Sequence, residues 1–284
     1  MSRLHCILIH GAWHGAQCWS ALEPLLTAKG LIVHRLDLPG AGKNAQTPDS
    51  FQQRPLDAQA FASEPSPNAN ITQAERTGAV INLIRTLREV GDRVMLVGHS
   101  LGGLTLSAVA EQLEQPVDSL VYLAAFMLPP NMPAIAMIQH ERMAGEEVAP
   151  LFLADPAVVG ALRLDPASAD LVYRAKLRSA FYGDLDDADA DEQLSHLHCD
   201  EPASVVMEPS PISVGGFGRQ PRHYIRCTED RAIPIAGQDF MIDAVDDALG
   251  GKTQVMTLNC SHSPFLSQPE ALANALAQIA LTLS

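Results

Sequence analysis

Val94-Met95-Leu96-Val97-Gly98-His99-Ser100-Leu101-Gly102-Gly103 is the stretch whose reading decides the fold. A short continuous apolar run enters it, as expected of a buried strand. Leu101 to Gln115 leaves it as a helix that stops before Pro116. Between them, Gly98-His99-Ser100-Leu101-Gly102 fits Gly-x-Ser-x-Gly. Five residues with three fixed are a weak pattern alone. A strand entering and a helix leaving make it a nucleophile elbow. The reason is steric: so sharp a turn strains the serine backbone and leaves room only for small neighbours. Gly98 and Gly102 provide that clearance, and Gly103 extends it. Ser100 is then held at the carboxyl end of a sheet, where such folds place their sites. The helix starting beside it aims its N-terminus at developing negative charge.

Working outward, the same strand–helix rhythm recurs. Leu4–Ile9 and Leu31–Leu38 read as strands, with a helix over Trp19–Ala28 between them. Asp49 to Asn70 carries three prolines and reads mostly as loop. Thr72 with Glu75 three residues on forms a capping box for a long helix ended by Gly91. Arg93–Val97 and Val117–Ala125 are further strands. From about Pro129 to Pro221 the chain shows helical pieces and no convincing strand. The rhythm resumes with strands at His223–Cys227 and Thr253–Leu258 and helices near Gly237–Leu249 and Pro269–Leu283. Near-continuous apolar strands alternating with helices imply an α/β fold, its mostly parallel sheet covered by helices on both faces. Residues 1–128 and 222–284 would form the catalytic core, and residues 129–221 a helical lid inserted into it.

The 284 residues are 47% hydrophobic, and 33 acids stand against 19 bases, a formal net charge of −14. That balance argues against a chain that grips nucleic acid, which needs clustered Lys and Arg, and against an anionic membrane surface. The apolar fraction excludes a disordered chain. No apolar run approaches the 18 or more residues of a membrane span. The first strand begins almost at once and lacks a cleavage pattern, so no cleavable leader is expected. Cys6, Cys18, Cys199, Cys227 and Cys260 are scattered and odd in number. They suit reduced thiols in a cytoplasmic enzyme better than a disulfide framework.

A serine hydroxyl is a weak nucleophile until a base takes its proton. In this architecture the partners follow in the order Ser, acid, His. Of the five downstream histidines, His262 lies in the loop between the last strand and the last helix, again at the carboxyl edge. His223 starts a strand, at the opposite edge, and His140, His196 and His198 fall in the insertion. The acid should follow the preceding strand, where Thr228-Glu229-Asp230 offers two carboxylates. Asp230 is the choice and Glu229 the alternative. The acid orients the imidazole and stabilises the imidazolium without itself taking a proton. An oxyanion hole needs two backbone N–H groups. Leu101, after the nucleophile, supplies one, and the loop His10-Gly11-Ala12-Trp13 the other, with Ala12 the candidate. Gly11 lets backbone approach substrate, and His10 is expected to brace this loop by hydrogen bonding.

These residues resemble a group within the α/β-hydrolase superfamily. His10-Gly11-Ala12-Trp13-His14-Gly15-Ala16-Gln17-Cys18-Trp19 is similar to the His-Gly-Ala-x-His-Gly-Ala-x-x-Trp opening of plant methylesterases and hydroxynitrile lyases, which have bacterial esterase relatives. Gly98–Gly103 resembles their Gly-His-Ser-x-Gly-Gly, and Tyr224–Asp230 with Ile233-Pro234 resembles their segment bearing the catalytic Asp. The Ser261-His262 loop matches more weakly, and the insertion does not align by eye. The resemblance implies an α/β-hydrolase fold with Ser100, Asp230 and His262 as its triad. Hydroxynitrile lyases carry Thr directly after the first His and Lys directly after the catalytic His. Here those positions are Gly11 and Ser263. An uncharged Ser cannot stabilise departing cyanide as an ammonium does. The expectation is therefore a serine carboxylic-ester hydrolase working through an acyl-enzyme on small to medium apolar or aromatic esters. A lyase, or a receptor-type relative that binds without turnover, is the alternative. No cofactor and no metal are expected, and the partner is a small-molecule ester. The resemblance also brings a homodimer among the assemblies open to the chain.

In the lid and its approach, Phe126, Met127, Leu128, Met132, Met137, Ile138, Phe152, Leu153 and Phe181 are candidates for an apolar pocket. Gly11, Trp13, Phe126, Met127 and Phe152 are those expected to touch substrate. Asp184 to Glu192 holds six acids in nine residues and reads as a solvated helix start favoured by the helix dipole. His196 and His198 are two apart, so one helix cannot present both on one face.

Overall fold

The computed structural model describes residues 2–283. Six strands form one sheet: β1 Leu4–Ile9, β2 Ile32–Leu36, β3 Arg93–His99, β4 Ser119–Leu123, β7 Arg222–Cys227 and β8 Gln254–Leu258. Their spatial order is β2-β1-β3-β4-β7-β8 and every pairing is parallel. The sequence expectation of a parallel α/β sheet holds. β3, which leads into Ser100, runs near the middle, and its residues from Val94 onward are buried.

Helices cover both faces. Helices Gln73–Glu89, Gly102–Gln112 and Ile235–Leu249 bury one apolar face of the sheet, with Val80, Ile84, Leu106, Val109 and Val245 in the core. Helices Leu22–Ala28 and Pro269–Leu281 cover the other through Leu22, Leu26, Leu272 and Leu276. The Thr72 capping box forms: its hydroxyl accepts the Glu75 N–H at 3.2 Å, and the Glu75 carboxylate accepts the Thr72 N–H at 2.8 Å. The Asp49–Asn70 segment contains two short helices, Asp49–Gln52 and Ala58–Ser63, within its loops. Among the described residues no helix is long and apolar enough to cross a membrane, and all five cysteines are free and buried.

Between β4 and β7 the chain leaves the sheet and packs a second apolar cluster over its carboxyl edge. This segment contains a hairpin that the sequence reading missed: β5 Ala161–Arg163 pairs antiparallel with β6 Asp200–Pro202. Strands of three residues carry too little alternation to show a period. Theirs is further hidden because they bury charge. Arg163 and Asp200 form a fully buried bidentate pair with both N–O distances 2.7 Å. Arg163 also donates to the carbonyls of Phe61 and Glu64, tying the hairpin to the core's long loop. Asp200→Ala would strand this guanidinium in an apolar interior. It is expected to lower unfolding free energy by about 3–5 kcal/mol, read as a shift in urea midpoint at constant m-value.

Candidate active site

The turn after β3 holds Ser100 at φ +53°, in the left-handed region. Outside glycine that conformation is uncommon and strained. Its surroundings over-determine it. The Ser100 N–H donates to Leu123 O at 3.2 Å, and its carbonyl accepts from Gly103 at 3.1 Å and Phe126 at 3.0 Å. A Cβ on Gly98, Gly102 or Gly103 would come within 2.4–2.6 Å of Leu106, the His10 carbonyl or the Phe126 carbonyl, respectively. The three glycines are therefore the clearance on which the turn depends.

His262 and Asp230 arrive on the loops after β8 and β7. The two strands are parallel neighbours, so both loops leave the same edge. The His262 Nδ1–H donates to Asp230 Oδ2 at 2.8 Å, with both side chains buried. Asp230 Oδ1 accepts the N–H groups of Ala232 and Ile233, each at 2.8 Å. Glu229, one residue earlier, faces solvent. Ser100, Asp230 and His262 thus lie at one edge of the sheet. Among the described residues no hydrogen bond joins Ser100 Oγ to His262 Nε2. Such nucleophile–base contacts are often long without substrate and tighten in the complex.

Ala12 and Leu101 line the pocket beside Ser100, and among the described residues neither N–H has an acceptor. Buried N–H groups are nearly always paired, so two left open beside a strained serine stand out. The loop carrying Ala12 is braced by histidines. The His10 Nδ1–H donates to Gly11 O at 2.8 Å, while its Nε2 accepts from the Leu38 N–H at 3.3 Å. The His14 Nδ1–H donates to Ala12 O at 2.7 Å, and its Nε2 accepts the Tyr182 hydroxyl at 2.9 Å. Burial holds both rings neutral, pushing His10 down to about 4 and His14 to about 3. His99 is likewise held well below the usual imidazole range, first by burial and then by the charge of a protonated His262. It donates from Nε2 to the His262 carbonyl at 2.9 Å. Trp13, in this loop at φ +59°, joins Ser100 as a strained residue, at a cost of roughly 1–3 kcal/mol.

A cavity enclosing about 470 Å³ of atom-free space, its open mouth included, rises from Ser100 into the lid. Trp13, Phe126 and Phe152 line it, as do Ile138 and Phe181. Met127 does not. It is fully buried in the core beneath the sheet with Leu106 and Tyr122. Successive residues of an extended chain face opposite ways, so Phe126 meets the pocket and Met127 the core. Gly11 lies behind Ser100 instead of in the pocket wall: a Cβ there would be 2.8 Å from Ser100 Cβ and 3.0 Å from His99 Nδ1. Leu128, Met132 and Met137 pack within the lid's own core, and Leu153 is partly exposed.

Two supporting residues were not expected from the sequence. Gln238, fully buried, accepts the Cys227 N–H through Oε1 at 3.0 Å. Its Nε2 donates to Ile233 O at 2.7 Å and to Asp230 Oδ2 at 3.5 Å, pinning the acid's loop. Asp184, first of the acidic run, accepts from both the backbone N–H and the hydroxyl of Ser261, next to His262. The rest of the run behaves as a helix start. Asp186 caps helix Asp187–Leu194, and Asp191 pairs with Arg174 and Arg178. Among the described residues no group of three or more metal-ligating side chains gathers.

A parallel sheet, a strained serine at its centre and a buried acid–histidine pair on adjacent edge loops define a class. The profile of the Alpha/beta hydrolase family matches residues 6–275, and the chain belongs to that family. Among curated proteins it is 31% identical to a pyrethroid hydrolase of Sphingobium wenxiniae, over 96% of this chain and 86% of that one. It is 29% identical to methylesterase 1 of Arabidopsis thaliana, over 97% and 95%. A solved pyrethroid hydrolase from Sphingobium faniae superposes with a TM-score of 0.74 at 25% identity, covering 98% of each chain.

Proposed function

We propose that this chain is a serine carboxylesterase that uses Ser100, His262 and Asp230 as its triad. The observation that carries the reading is the pairing of two open N–H groups, Ala12 and Leu101, with a strained Ser100 at the foot of an apolar cavity. Ser100 Oγ attacks the ester carbonyl while His262 Nε2 takes its proton. The carbonyl oxygen, now anionic, accepts from Ala12 and Leu101, each donor worth roughly 10²–10³ in turnover. As the tetrahedral species collapses, His262 returns the proton to the departing alcohol. Water then enters by the same route and frees the acid. Asp230 holds the imidazole with Nδ1 protonated, which leaves Nε2 bare to act as the base.

The cavity favours small to medium esters with an apolar or aromatic part, because Trp13, Phe126, Phe152 and Phe181 offer ring faces. Relatives named for pyrethroid and methyl-ester hydrolysis support the same reading. The five free thiols suit a cytoplasmic setting. Cyanohydrin cleavage is disfavoured: position 11 has no room for a Thr side chain unless Ser100 shifts, and Ser263 is buried and uncharged.

The test is a burst of p-nitrophenol from p-nitrophenyl butyrate, stoichiometric with protein and abolished by a p-nitrophenyl alkylphosphonate. A panel varying acyl and alcohol size, with mandelonitrile included, accompanies it. Apolar esters should turn over and mandelonitrile should release no cyanide. Cyanide release faster than ester hydrolysis would reverse the assignment.

A further inference from the structure

The Ala12 N–H is aimed by a loop whose next residue, Trp13, is held almost wholly from the lid. The Trp13 N–H donates to the Glu201 carboxylate at 3.2 Å. The Trp13 carbonyl accepts from the His198 N–H at 2.8 Å, and its indole N–H donates to Leu162 O at 2.9 Å. Glu201 and Leu162 are partners in the β5–β6 hairpin. Glu201 is 1% exposed and would be a costly buried charge alone. Arg76, from helix Gln73–Glu89, pairs with it and also donates from Nε to Pro39 O at 3.1 Å.

We propose that the buried Arg76–Glu201 pair positions the oxyanion hole: Glu201 fixes the Ala12–Trp13 peptide, and so decides where the Ala12 N–H points. This rests on the serine-esterase reading above. The Ala12–Trp13 peptide is gripped from both sides, its carbonyl by His14 and its N–H by Glu201. With one grip removed, the left-handed Trp13 is free to relax toward ordinary φ. That relaxation displaces the Ala12 Cα, and the adjoining Gly11–Ala12 peptide, which carries the donor and is held only at its carbonyl by His10, tilts with it. Arg76 has a second task. An uncompensated carboxylate one residue from the hole would oppose the developing oxyanion, and the guanidinium cancels that field. Glu201 is thus a positioning residue that never touches substrate, and the second oxyanion donor is set by the lid.

Because Glu201→Leu alone strands Arg76, the decisive variant is Arg76→Met with Glu201→Leu, which replaces the pair by apolar groups of similar reach. Active sites are counted by phosphonate labelling at long incubation, and kcat is expressed per labelled site. The double variant is expected to keep full labelling and KM within about twofold while kcat falls about 10–100-fold. Affinity for an alkyl trifluoromethyl ketone, whose adduct carries an oxyanion, should fall by the same factor as kcat. Affinity for the matching methyl ketone should not. Glu201→Gln, which keeps an acceptor for the Trp13 N–H, should recover kcat to within about fivefold of the parent. A double variant with fewer labelled sites but parental kcat per site would make the pair merely structural and overturn the proposal. So would failure of the double variant to fold. A parent chain that neither labels nor turns over would instead refute the esterase reading itself.

Discussion

Ser100→Ala is expected to cut ester turnover by about 10⁶-fold, the scale on which removing a triad nucleophile acts. The loss is that large because no other group can take the role. Ala12 and Leu101, with their open N–H groups, line the same pocket as this side chain, and it sits in the strained turn at the carboxyl edge of the sheet. The fold should be untouched. Alanine meets the same positive-φ cost as serine, the backbone bonds of Ser100 to Leu123, Gly103 and Phe126 remain, and the hydroxyl is no structural partner among the described residues. Steady-state kinetics with p-nitrophenyl butyrate and a thermal melt measure the two halves. Turnover within tenfold of the parent at an unchanged melting temperature would sink the assignment of Ser100.

The second large effect is expected at Asp230→Asn, about 10⁴-fold in kcat with little change in KM. The argument is one of hydrogen-bond direction. Asp230 Oδ1 is committed to two N–H donors, Ala232 and Ile233. An asparagine therefore keeps its oxygen there and turns its NH₂ toward His262 Nδ1. That nitrogen must then accept, which moves the ring proton to Nε2, where the base has to be bare. Phosphonate labelling should slow in parallel while the melting temperature stays close to that of the parent. A variant of near-parental rate would mean that Glu229, exposed on the same loop, supplies the acid.

Much of the site was legible because its chemistry is local. Gly-x-Ser-x-Gly between strand and helix is a statement about five residues and one sharp turn. The Asp230 and His262 loops were found by counting strands, since every parallel strand delivers its following loop to the same edge. Met127 was misplaced because composition marks a residue as apolar without saying which way it faces. One step along an extended chain separates the pocket from the core. The β5–β6 hairpin escaped because three-residue strands that bury an ion pair do not look like strands.

What supports the site is of another kind. Glu201 reaches Trp13 across 188 positions, Asp184 reaches Ser261 across 77, and Arg76 meets Glu201 across 125. No local pattern records such pairs, because each depends on where the lid settles after the core has formed. The sequence by itself determined the sheet, the order of its strands along the chain and the three loops that bear Ser100, Asp230 and His262, since backbone sterics and hydrophobic period act over a few residues. Only the tertiary structure decided which lid rings line the cavity and which buried charges brace the Ala12–Trp13 loop. Those follow from packing between segments far apart in the chain, where burial makes an unpaired charge or an open N–H expensive enough to select its partner.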